Sequence, residues 1–141
     1  MKPRLLILLL LLALLAGRTP AEPVVVVNAA SGLHQLSHEQ VVNVFLGRYR
    51  TLPGGATALP IDQPDGDPIR AEFYRKLVNK SPNEINAYWS RLVFSGRTSP
   101  PLQPASAAEV LRIMSASTDA IAYIERQQVD KRFRIVMEFP R

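Results

Sequence analysis

Residues 58–73 read ALPIDQPDGDPIRAEF, and their order of apolar, turn-forming and cap-forming residues sets the architecture. Ala58 to Ile61 is a short apolar run of strand character. Pro64 and Gly66 break it, and Asp67-Pro68 opens a helix, with Asp67 as N-cap and Pro68 at the first helical position, where a missing N–H costs nothing. Ile69, Phe73, Leu77 and Val78 mark the buried face of that helix. A strand that turns through a glycine loop directly into a helix is a building unit of α/β domains.

The same punctuation recurs outward from this stretch. Ser81-Pro82 opens another helix, Glu84 completes a capping box, and Ile85, Tyr88, Trp89, Leu92 and Val93 follow at helical spacing. A loop over 96–104 holds three prolines, after which Ser106 caps a further helix, with Glu109 closing its box and Val110, Leu111 and Met114 facing the core. Upstream, Val24 to Val27 is a β-branched run without polar alternation, as expected of a strand covered on both faces. Ser37 and Gln40 form a capping box for a helix whose buried side is Val41, Val42, Val44 and Phe45 and which ends at Gly47. Ile121 to Ile124 and Phe133 to Phe139 are the last strands, the latter alternating Phe133, Ile135, Met137 and Phe139 against Arg134, Val136 and Glu138. Strands interleaved with helices predict a layered α/β domain with a mostly parallel sheet flanked by helices.

At its start the 141-residue chain reads as a targeting signal: Lys2 and Arg4, an unbroken apolar run from Leu5 to Ala16, then small residues at Thr19-Pro20-Ala21 before Glu22. The expected organisation is a signal peptide over 1–21 and one domain over 22–141. Twelve apolar residues fall short of the ~20 that cross a bilayer, so cleavage and release are expected. Lys2, Arg4 and Arg18 lie in this leader; taking three from the 17 basic residues leaves 14 against 12 acids, so the formal +5 falls to +2. Such a charge makes no case for nucleic acid as a partner. Without cysteine there are no disulfides, thiolate metal sites or thiol nucleophiles.

No catalytic constellation or cofactor motif is present: no G-x-S-x-G, Walker loop, G-x-G-x-x-G or H-E-x-x-H. The chain is therefore read as no enzyme, with no cofactor and no metal. His34 and His38 straddle the helix start at Ser37 and do not share a face. Asp62, Asp65 and Asp67 lack calcium-loop spacing, since the twelfth residue from Asp62 is Phe73 rather than glutamate. These acids are read as turn formers and a helix cap. Trp89, spaced with Ile85 and Leu92, is read as core.

Phe45-Leu46-Gly47-Arg48, the turn before Gly54, the strand-loop-helix from Leu59 to Phe73, Tyr88-Trp89 and Ala120-Ile121-Ala122-Tyr123-Ile124 together resemble the phosphate-binding proteins of phosphate ABC transporters, and more closely their small, single-lobe exported relatives. The resemblance implies one lobe of the periplasmic-binding-protein type II fold, a periplasmic location, phosphate or another small oxyanion as ligand, and a membrane transporter or sensor protein as partner. The family cradles phosphate with an arginine, an acid-glycine pair and a serine-glycine-threonine at a helix N-terminus. Here Gln63 stands at the arginine position, Asp65 and Gly66 match, and Asp67-Pro68-Ile69 replace the last three. The implied anion site is Gln63 as a neutral donor, Asp65, the backbone N–H groups of Gly66 and Ile69, Asp67, and Arg70 as charge partner. Arg48 and Arg50 are read as solvated charges. Because Pro68 has no N–H and Asp67 can cap the helix itself, weak phosphate binding or none is expected, with Asp67 a principal reason. The alternative reading is a periplasmic sensor or protein-interaction module that keeps the fold without binding phosphate.

Overall fold

The computed structural model describes residue 17 and residues 19–141; the expected leader over 1–21, with its apolar run, lies mostly outside them. Among the described residues no helix is long and apolar enough to cross a membrane. The elements run β1 (Pro23–Asn28), α1 (His38–Phe45), β2 (Leu59–Ile61), α2 (Pro68–Val78), α3 (Pro82–Ser95), α4 (Ala107–Ala116), β3 (Ala120–Glu125), a 3-10 turn (Arg126–Gln128) and β4 (Phe133–Glu138). Ser37, Asp67, Ser81 and Ser106 cap α1 to α4 as expected. The fourth differs in one respect: Ser106 accepts from the Glu109 N–H, but the Glu109 carboxylate pairs with Arg112 instead of closing the box.

The sheet order is β2-β3-β1-β4. β1 is antiparallel to both neighbours, and only the three-residue β2 runs parallel to β3. The expected lobe with a mostly parallel sheet is therefore overturned: the described residues form a single α/β domain of four helices and a mixed, mostly antiparallel sheet. The physical reason is that uninterrupted apolarity reports covered faces and not direction. β1 and β3 are buried along almost their whole length, because helices lie over both sides of the sheet. On one face Val25, Val27, Ile121, Tyr123, Val136 and Met137 meet Val41, Val44 and Phe45 of α1, Ile69, Phe73 and Leu77 of α2, and Ile85 and Trp89 of α3. On the other, Val24, Val26, Ile61, Ala120, Ala122, Ile124 and Phe133 meet Val110 and Met114 of α4.

β4 departs from its expected alternation as well. Val25 pairs with Met137 but Val26 with Ile135, so Val136 is an extra residue in a bulge. Phe133 and Ile135 thus face α4, while Val136 and Met137 pack with α1 to α3.

Candidate functional site

The segment between β2 and α2 lies at the end of the sheet where β2 is flanked by the loop from α3. Leu102 donates its N–H to the Pro60 carbonyl and accepts from the Asp62 N–H at 2.7 Å, extending the sheet by one bridge beside Ile61. The chain then turns: Asp67 donates to the Pro64 carbonyl, with Gly66 at φ 79°, a left-handed conformation that favours glycine. The Asp67 Oδ1 accepts from the Ile69 N–H at 3.1 Å.

Asp62, the residue that leaves β2, is only 4% exposed and carries the centre of the site. Its Oδ1 accepts from the Tyr123 hydroxyl and from the Gln63 N–H at 2.8 Å. Its Oδ2 accepts from the Tyr74 hydroxyl at 3.1 Å and from Arg70 Nε at 3.2 Å. The donors converge from β3, α2 and the loop itself. Phe73 stacks on Tyr123 with ring centroids 3.7 Å apart, and Phe45 meets both rings edge-on, which fixes the phenol in place. Burial, then the neighbouring Asp62 charge, push both tyrosine hydroxyls well above the ordinary phenol range, so both remain donors at neutral pH.

Arg70 is 3% exposed and bonded on three sides. Besides Asp62, it donates from Nη1 to Asp65 at 3.1 Å and from Nη2 to Asn86 of α3 at 2.9 Å. Burial alone would lower its basicity, but the Asp62 charge and hydrogen bond outweigh this and hold the guanidinium above its usual value. Asp65 is the accessible member, with a side chain 68% exposed.

The structure brings Asp65 and Arg70 of the expected anion site into contact, and sets Gln63 and the Ile69 N–H to work inside the protein. Gln63 is buried and donates Nε2 to the Tyr123 carbonyl at 2.8 Å, with its Oε1 unpaired. The Ile69 N–H is taken by Asp67. Asp62, Tyr74, Tyr123, Asn86 and Gln103, whose Nε2 donates to the Gln63 carbonyl at 3.1 Å, escaped the sequence reading of the site. The available signal was an acid placed immediately after a buried strand. Arg50 is also corrected: it is half-buried and donates to the Ser99 carbonyl and hydroxyl, while desolvation lowers its basicity. His34 and His38 are exposed. Among the described residues no group of three or more His, Cys, Asp or Glu side chains is placed to hold a metal.

A cleft of about 1040 Å³ opens over the Arg70 network. Asp62, Arg70, Asn86, Ser90 and Gln103 supply its polar lining, and Trp89, Val93, Phe94, Pro100, Pro101 and Leu102 its apolar walls. Trp89 is buried in the core as expected, at 6% exposure, and also reaches this cleft. Phe94 is 96%, Val93 53% and Leu102 47% exposed.

No known family and no curated protein matches the sequence. Solved structures do match. A protein described as a phosphate ABC transporter substrate-binding protein from Clostridium perfringens, solved with bound phosphate, is 15% identical with a TM-score of 0.64, over 82% of this chain and 44% of that one. An ABC-type phosphate transport receptor from Vibrio cholerae is 17% identical with the same TM-score, over 85% of this chain and 48% of that one. At such identities the likeness is one of fold alone, and the chain spans less than half the length of either structure.

Proposed function

We propose that the chain is an exported, non-catalytic recognition domain built on the fold of phosphate-transport binding proteins, made with a signal peptide over residues 1–21 and working in the periplasm. Its partner is a membrane transporter or sensor protein rather than a freely carried phosphate. One observation carries this reading: the cation a phosphate would need, Arg70, is buried and already bonded to Asp62, Asp65 and Asn86, while the cleft above it is walled by exposed Phe94, Val93 and Leu102. A neutralised polar lining bordered by exposed apolar side chains suits a protein surface better than a solvated dianion.

A second reading, a phosphate or oxyanion binder, is favoured by the exposure of Asp65. An anion could take its place on Arg70 Nη1, with Asn86, Ser90 and Gln103 beside it in the cleft.

Titration calorimetry of the mature protein with phosphate and sulfate separates the two. The recognition-domain reading expects no saturable heat, and micromolar phosphate binding would replace it with the second. N-terminal sequencing of exported protein, expected to begin near Glu22, tests the leader; an intact Met1 on membrane-bound material would overturn cleavage.

A further inference from the structure

We infer that the Asp62 side chain is a tethered ligand: its carboxylate fills a four-donor seat for a small carboxylate, so that the domain is held in an anion-bound form with no free anion. Both oxygens of the group have two donors each, the Tyr123 hydroxyl and Gln63 N–H on one and the Tyr74 hydroxyl and Arg70 Nε on the other. That is how a protein recognises a free oxyanion: converging neutral donors, one cationic donor, and exclusion of water. The residues that make the seat are all buried, and they come from separate parts of the chain, so the seat ties β2, α2 and β3 together. Two oxygens and four donors define a planar carboxylate of formate size once the Asp62 Cβ is accounted for. The inference concerns the seat and holds whichever partner occupies the cleft.

The test is chemical rescue. Asp62→Ala keeps the Cβ and empties the seat, and formate is the missing fragment. Asp62→Ala is expected to melt below the wild-type protein and to gain several degrees in sodium formate, saturably, but not in sodium chloride at equal ionic strength. The wild-type protein is expected to respond equally to both salts, because its seat is filled. If Asp62→Ala is recovered unfolded, its refolding yield in formate against chloride makes the same comparison. Asp62→Asn, which keeps the shape and removes the charge, supplies a second: it is expected to melt below wild type and to ignore formate. The inference is overturned by Asp62→Ala that responds identically to formate and chloride, by Asp62→Ala that responds to inorganic phosphate but not to formate, or by Asp62→Asn that is as stable as the wild-type protein.

Discussion

Tyr123 and Tyr74 are hydroxyls closed off from water whose protons both go to Asp62. Tyr123→Phe leaves the ring stack with Phe73 in place and removes one donor from a buried carboxylate oxygen. The expected loss is about 1–3 kcal/mol of stability, read from urea midpoints. Alkaline pH tests the same contacts. The folded protein keeps both phenol protons above the ordinary range through desolvation first and the Asp62 charge second, whereas an unfolded tyrosine loses its proton near pH 10. Once the unfolded chain binds fewer protons than the folded one, stability falls as pH rises. The contribution is therefore complete below about pH 10 and lost above it, by about 1.4 kcal/mol per pH unit for each tyrosine. Stability measured across pH 8–11 should be level in this respect at first and then fall, with a shallower fall in Tyr74→Phe and Tyr123→Phe. Little of this network is legible in the sequence. The helix cap Asp67 is identified by its immediate neighbours, but Asp62 acquires its role from residues 12 and 61 positions away, and a single sequence gives no distance across the fold.

Helix ends were the most readable elements, because a cap is chemistry between residues two or three apart, as in the Ser37–Gln40 and Ser81–Glu84 boxes. Strand register was not: the bulge at Val136 depends on how β1 and β4 pair across more than a hundred residues. Gly47 joins the local and the distant. It was readable as the stop after α1, and it takes a φ of 70°. A Cβ there would lie 2.6 Å from Trp89 Cη2 and 2.9 Å from Thr98 Oγ1, so the glycine also lets α3 approach the end of α1. Gly47→Ala meets both a left-handed backbone and a collision, and is expected to cost on the order of 1–3 kcal/mol. Trp89 is the chain's one tryptophan, so its emission reports the displacement directly. A variant with unchanged melting and unchanged emission would show that the two helices close without that space.

Alternation of apolar, turn and cap residues is enough to define an α/β domain with its helices in order, yet strand direction emerged only with the assembled sheet, where β1 sits between β3 and β4 and runs against both. The placing of β2 at the sheet edge then brings the 62–67 loop, α2 and α3 around one cation and three acids. This balance of charge governs whether phosphate can bind. Arg70 is matched by Asp62 and contacted by Asp65, and Asp67 caps the helix that follows. A further unit anion about 4 Å from one of these carboxylates meets repulsion on the order of 4 kcal/mol at an effective dielectric of 20. The N-terminus of α2 returns only about 0.3–2 kcal/mol, and Pro68 has no N–H to offer while that of Ile69 is engaged. Repulsion outweighs attraction in the unmodified protein. Asp62 is locked in the core, so the adjustable charges are the exposed Asp65 and the cap Asp67. Serine caps nearly as well as aspartate, so Asp67→Ser should keep the helix and raise phosphate affinity modestly. Adding Asp65→Ala removes both the charge and the acceptor that hold Arg70 Nη1 and should raise affinity further. Calorimetry at low salt is expected to rank the proteins as double variant, then Asp67→Ser, then wild type, with the differences shrinking as salt rises because the cleft is open to solvent. Micromolar binding by the wild-type protein that Asp67→Ser abolishes would invert the assignment, making Asp67 an acceptor for protonated phosphate and the domain an oxyanion carrier.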